Sequence, residues 1–156
     1  MSEIERSRTI WNRPGFLIRR LQQIQVAAFL SECSESDITP VQWGILTIVS
    51  ENPGVGQIEI SEELGLDRSN VANVVERLTK RGLLRQKLSS KDRRKKYITL
   101  TKAGERAVEH VEAGALRAQR KIFRPLSGSE LEIFVNLLTR LVKENNHLGR
   151  ALLRLT

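Results

Sequence analysis

Between Gln57 and Arg81 two short helical patterns are separated by little more than a glycine, and this spacing constrains the fold more than any other feature of the chain. Residues 57–64 predict one helix, and Gly65 just beyond its end tolerates the positive φ that a tight turn requires there. Asp67 stands where it would cap a second helix, on which Val71, Val74, Val75 and Leu78 share one face. Ser69, Asn70, Asn73, Arg77 and Lys80 fall on the opposite face, so the outward side of that helix consists of hydrogen-bonding groups. Gly82 closes it. Residues 83–88 and 97–101 then read as short strands, with Ile98 and Leu100 alternating inward, joined by a charged hairpin loop.

The flanking segments are helical. Leu17, Leu21, Ile24 and Ala28 recur at spacings of three and four, which predicts a first helix over residues 15–33 with its apolar stripe toward a core. A polar break at 34–37 precedes Thr39, Pro40 and Gln42, which read as an N-cap, a first-turn proline and a capping-box partner for a helix through about residue 51. Asn52, Pro53 and Gly54 end it. Thr101 caps a fifth helix through about residue 123, stopped by Pro125, and Ser127 with Glu130 opens a sixth over about 128–146. That last helix carries Leu131, Ile133, Phe134, Leu137, Leu138 and Leu141, too much apolar surface for one face of a surface helix. Either core packing or a second subunit must cover it, and a subunit interface is the reading favoured for a chain of this size. The expected fold class is therefore mainly α with a small β-hairpin wing (α+β): six helices, a winged helix-turn-helix, and an intertwined homodimer. The 156 residues form one unit, in which 15–51 and 102–156 make a helical dimerisation part and 52–101 the winged part.

Charge decides what such a scaffold is for. The chain carries a net charge of +8. Between Glu76 and Arg106 there are twelve Lys or Arg against Glu76, Asp92 and Glu105, a local excess of nine that exceeds the net charge of the whole chain. A solvated basic face is the plain reading of such a run. Here it coincides with a helix-turn-helix and hairpin, the arrangement that sets the second helix in a DNA major groove. Arg68, Ser69, Asn70 and Asn73 lie in that helix's first turns, and their side-chain types suit reading of base edges. Arg93, Arg94, Lys95 and Lys96 lie at the hairpin, where an arginine can enter the narrow minor groove and lysines meet phosphates. Asp92 would be repelled by phosphate, so its expected role is structural, orienting Arg94 or pairing with Arg77.

The run from Asp67 to Leu84, then Asp92-Arg-Arg94 and Ile98-Thr-Leu-Thr101 with Gly104, resembles the MarR (multiple antibiotic resistance regulator) family. The resemblance implies a cytoplasmic homodimer joined through the first, fifth and sixth helices and binding double-stranded DNA at a palindromic operator. It also implies a ligand pocket between the dimerisation and DNA-binding parts, with ligand release of DNA, most often from a repressor. By the same motif Arg94 matches the minor-groove arginine, Asp92 its structural partner, and Ser69, Asn70 and Asn73 the recognition positions. Gln86 stands where arginine is common, no proline precedes the wing aspartate, and Ser61 replaces a usual alanine. The opening Arg13-Pro-Gly-Phe-Leu-Ile-Arg-Arg20 is similar to a subgroup linked to aromatic-compound breakdown, which implies an aromatic carboxylate or acyl-CoA effector. Arg19 or Arg20 could meet such an anion, with Ile24 and Trp43 lining an apolar slot; surface arginines and a packed tryptophan are the plain alternative.

Other classes find less support. Gly54-Val-Gly56 lacks the third glycine of a dinucleotide loop, no Walker lysine occurs, and His110 and His147 have no evident nucleophile partner, so an enzyme, a cofactor and a metal site are not expected. No apolar run is long enough to span a membrane, and residues 1–13 lack a signal-peptide core. Cys33 is the single cysteine, which excludes an intramolecular disulfide and leaves redox sensing as an alternative. A non-specific nucleic-acid-packaging protein is the other.

Overall fold

A computed structural model describes residues 10–88 and 96–154. It contains six α-helices and one antiparallel hairpin: α1 (Pro14–Glu32), α2 (Pro40–Glu51), α3 (Gln57–Leu64), α4 (Arg68–Lys80), β1 (Leu84–Leu88), β2 (Lys96–Leu100), α5 (Lys102–Phe123) and α6 (Gly128–Asn145). Short 3₁₀ turns lie at Ile10–Asn12, Ser34–Ser36 and Asn146–Leu148.

Local chemistry sets most of these boundaries. Thr39 and Gln42 close a reciprocal capping box at α2: the Gln42 N–H donates to Thr39 Oγ1 (3.3 Å) and the Thr39 N–H to Gln42 Oε1 (3.1 Å). Ser127 and Glu130 repeat the device at α6. At α5 the Gly104 N–H donates to Thr101 Oγ1 (3.1 Å). Gly65 adopts φ +60° and Gly82 φ +73°, the left-handed values that their positions after α3 and α4 require. Asp67 departs from expectation: it occupies the N-cap position of α4, but its side chain makes no capping hydrogen bond.

The core is continuous. Ile45, Leu46 and Val49 of α2 sit at its centre with Ile60 of α3, Val71, Val75 and Leu78 of α4, Leu84 and Ile98 of the hairpin, and Val111 of α5. In the hairpin Leu84 faces Leu100 and Gln86 faces Ile98. The loop after α2 adds a bridge that local patterning does not announce: the Gly54 N–H donates to the Ile98 carbonyl (2.9 Å) and the Ile98 N–H to the Val55 carbonyl (3.1 Å). The hairpin is thus pinned on both sides, to α4 and to the approach to α3.

Two helices leave apolar surface uncovered. The α1 stripe expected to face a core does not do so within the chain: Leu17, Ile18 and Ile24 are exposed, and Phe29 is the buried residue of that helix. α6 has no buried residue among those described; Ile133, Leu137, Leu141 and Val142 all face outward. Its Phe134 ring meets Phe123 of α5 at 5.9 Å. Beyond α6 the chain returns to the helix-turn-helix. Asn146 holds the Leu153 backbone through both side-chain atoms (2.7 and 3.0 Å), the Arg154 N–H donates to the Glu62 carbonyl (2.6 Å), and Leu153 packs over Gly65.

Candidate nucleic-acid interface

α4 is amphipathic by construction, with Val71, Val74, Val75 and Leu78 buried. The same periodicity turns Arg68, Ser69, Asn70, Asn73, Arg77 and Lys80 outward, and all six are exposed. The Gly65 turn sets α3 against the inner face of α4, so the polar face stands clear of the chain. The hairpin follows α4 directly and is held to it through Leu83, whose N–H donates to the Leu78 carbonyl (3.0 Å).

The acidic group on this face is already neutralised. Lys80 Nζ lies 2.7 Å from Glu76, holding that carboxyl below the ordinary carboxylate range, and the charge of Lys96 on β2 acts in the same direction. Lys96 is exposed at the start of β2, on the wing side of α4. Asp92, Arg93, Arg94 and Lys95 lie outside the described residues. The surface therefore offers amide and hydroxyl donors and acceptors flanked by cations, which suits base edges between phosphates.

Not every residue of the basic run belongs to that surface. Arg81 donates to the carbonyls of Asp37 (2.8 Å) and Ser36 (3.3 Å) and to Gln42 Oε1 (3.4 Å), tying the end of α4 to the segment before α2. Gln86 turns inward, where its Nε2 donates to Thr79 Oγ1 (3.1 Å). Ser61 is buried and satisfies its hydroxyl locally, donating to the Ile58 carbonyl (2.7 Å).

A second feature lies between α1, α2 and α5: a cleft of about 300 Å³. Phe29, Ala115 and Ala118 form its buried floor with half-buried Trp43, while Gln25, Glu112, Leu116 and Gln119 are exposed at its rim. Of the residues singled out from sequence for a ligand, Trp43 lines this cleft and the other three do not. Arg19 stacks on Phe16 (5.1 Å to the ring centre), Arg20 donates to Gln23 (3.4 Å), and Ile24 is exposed. The stripe Glu112, Ala115, Leu116, Gln119 on α5 is the signal that would have found the cleft, since these positions share one helix face.

Cys33 is 4% exposed. Its thiol donates to the Val111 carbonyl (3.7 Å), and desolvation pushes its pKa up, opposite to what a reactive thiolate needs. No group of three or more potential metal ligands occurs among the described residues, and no helix among them is long and apolar enough to cross a membrane.

Comparison with known proteins agrees with this geometry. Residues 36–95 match the model of the MarR family. The chain is 29% identical over 133 residues to a putative transcriptional regulatory protein for the hcr operon of Thauera aromatica, covering 85% of this chain and 80% of that protein. Among solved structures, it superimposes on the PcaV transcriptional regulator of Streptomyces coelicolor, in complex with its natural ligand, with a TM-score of 0.82 and 32% identity, covering 88% of this chain and 96% of the other. BpsR of Bordetella bronchiseptica, whose DNA binding is regulated by 6-hydroxynicotinic acid, matches at a TM-score of 0.76 and 30% identity, over 81% and 96% of the two chains.

Proposed function

The chain belongs to the MarR family of winged helix-turn-helix transcriptional regulators, and from that premise we propose that it is a ligand-responsive repressor which binds a palindromic operator as a homodimer. The observation that carries this reading is the exposed polar face of α4, six hydrogen-bonding or cationic residues backed by four buried apolar ones, standing beside the hairpin. In this reading Arg68, Ser69, Asn70 and Asn73 meet base edges in the major groove. Arg77, Lys80, Arg93, Lys95 and Lys96 meet phosphates, Arg94 enters the minor groove, and Asp92 shapes the wing. Residues 52–101 form the reading part, and residues 15–51 and 102–156 the dimerisation part.

The uncovered apolar faces of α1 and α6 support the dimer, because contiguous exposed apolar surface of this kind marks an interaction site. The cleft walled by α1, α2 and α5 is the proposed effector site. It adjoins both the helices of the dimerisation part and the core beneath α4, so a ligand there can alter the spacing of the two recognition helices. An aromatic acid or its acyl-CoA derivative is the effector class implied by the sequence, and regulation of BpsR by 6-hydroxynicotinic acid accords with it. The burial of Cys33 weighs against a redox sensor.

The test is binding to duplexes recovered from a random pool, with excess unrelated DNA as competitor. A regulator retains its recovered site under competition. Equal affinity for both would instead describe a packaging protein.

A further inference from the structure

Arg81 is the C-cap residue of α4, and its side chain is used differently from that of its basic neighbour. Lys80 is 74% exposed at its side chain and pairs with Glu76 within the helix, whereas the Arg81 side chain is 34% exposed. Its guanidinium reaches the corner between α1 and α2. There Nη1 donates to the Asp37 carbonyl (2.8 Å) and to Gln42 Oε1 (3.4 Å), and Nη2 donates to the Ser36 carbonyl (3.3 Å). The Asp37 carboxylate is fully exposed and 3.9 Å away, so solvent screens it and the backbone carbonyls are the partners that hold the fork. A planar guanidinium meets three acceptors at fixed angles, a geometry that a lysine ammonium does not reproduce.

The corner is itself firmly seated. Asp37 has φ 49°, in the left-handed region that residues with a Cβ seldom occupy, and Ile38 after it is buried in the core. The Ser36 N–H and hydroxyl both donate to the Cys33 carbonyl (3.0 and 2.7 Å), and the Cys33 thiol donates to the Val111 carbonyl of α5 (3.7 Å). A Cβ at Gly114 of α5 would lie 2.8 Å from the Glu32 carbonyl oxygen, so α5 and the end of α1 are in close backbone contact. Gln42 Oε1 also accepts the Thr39 N–H in the capping box of α2 (3.1 Å). Arg81 therefore joins the end of α4 to α1 and α2 and, through them, to α5. The apolar face of α4 is held to the core by contacts that depend on area, whereas the fork fixes the end of the helix by directed hydrogen bonds.

We propose that Arg81 is a positioning residue for DNA reading: it fastens the recognition helix to the corner between α1 and α2, and so transmits the placement of the dimerisation helices to the spacing of the two α4 helices in the homodimer. This rests on the reading of α4 as the DNA-reading helix. Arg81 belongs to the basic run, yet by this assignment it supplies selectivity for half-site spacing and not a phosphate contact.

The experiment measures the affinity of full-length wild type, Arg81→Lys and Arg81→Gln for three duplexes over a series of salt concentrations. The duplexes are the palindromic site recovered from a random pool, the same site with a base pair inserted between its half-sites, and a scrambled sequence. Wild type should bind the recovered site at least about tenfold more tightly than the inserted one, since the insertion moves one half-site off the helix that reads it. Arg81→Lys keeps the charge but not the fork. It should bind the recovered site about tenfold more weakly than wild type and reduce the penalty for the insertion to about threefold or less. Both variants should keep the wild-type salt slope, because no phosphate contact is lost. The ratio between inserted and recovered sites is unaffected by any loss of folded protein, so it reads placement and not stability. An Arg81→Lys ratio equal to that of wild type would overturn the proposal. So would a salt slope lowered by about one in Arg81→Gln while Arg81→Lys binds like wild type, which is the signature of a phosphate contact. A wild type that prefers the recovered site but ignores the insertion would overturn it too. A wild type that binds recovered and scrambled duplexes alike would reject the reading of α4 itself, and the proposal with it.

Discussion

Replacing Gly104 by alanine should destabilise the fold although it places alanine, the best helix former, in a helix. A Cβ built at Gly104 collides with the Leu83 carbonyl oxygen and lies 3.1 Å from Leu100 Cδ2. The Leu83 carbonyl cannot simply move aside, because it accepts the Thr101 N–H at 3.1 Å, while the Thr101 hydroxyl is held by the neighbouring Gly82 carbonyl at 2.6 Å. Overpacking of this kind costs about 1–3 kcal/mol. Stretching the hydrogen bond from the Thr101 N–H to Leu83 adds about 1 kcal/mol, and helix propensity returns at most about 1 kcal/mol. The net is a loss of about 1–3 kcal/mol, which for a chain of this length lowers the melting temperature by roughly 2–12 °C. Gly128→Ala is the matched control: it also lies in the first turn of a helix, but nothing stands within 4 Å of its Cβ position. It should leave the melting temperature unchanged or raise it slightly. If the two alanine variants melted alike, the close approach of α5 to the hairpin would have no energetic weight and the reasoning would fail.

Arg94→Ala should weaken binding to every duplex tested, whereas Asn73→Ala should change base preference at one position per half-site by roughly 1–3 kcal/mol, seen in a base-by-base affinity scan; unaltered selectivity would remove Asn73 from the reading set. Leu141→Asp places a charge on the uncovered face of α6 and should convert a dimer to monomer in sedimentation, an outcome that a purely solvent-facing α6 would not produce. Glu32 is held below the usual carboxylate range first by the hydrogen bond from Arg117 and then, against some desolvation, by the charges of Lys121 and Arg117. A depressed carboxylate stabilises the fold above its unfolded pKa, and that contribution is lost as pH falls through the folded pKa. The stability advantage of the wild type over Glu32→Gln should therefore be full at neutral pH and disappear in acid; a difference constant with pH would contradict the pairing.

Local signals in the sequence were read well where the physics is local. Both capping boxes, the left-handed Gly65 and the 3.6-residue stripe of α4 involve residues within a turn of each other, so their pattern is complete in a short window. Features made by distant residues were not legible. The Val55–Ile98 bridge and the return of Leu153 and Arg154 to Gly65 and Glu62 join segments about 40 and 90 positions apart, and neither end carries a periodic mark. Arg81 shows the limit of charge counting: it sits within a basic run, yet its guanidinium is spent on backbone carbonyls. Arg19 and Arg20 lie away from the cleft that Trp43 lines, and residue type alone says nothing of which helix face meets it. The α1 stripe is a real apolar face that its own chain leaves exposed at Leu17, Ile18 and Ile24, because periodicity identifies such a face without saying what covers it.

If the outward face of α4 reads DNA sequence, the protein must distinguish one duplex from another of the same length and charge. The most direct measurement is the affinity of the full-length protein, at physiological salt, for a near-palindromic duplex recovered from a random pool and for a scrambled duplex of equal length. The expected result is a preference of at least about a thousandfold for the recovered duplex, protected over two half-sites about one helical turn, roughly 10 bp, apart. Equal affinity for the two duplexes would contradict it.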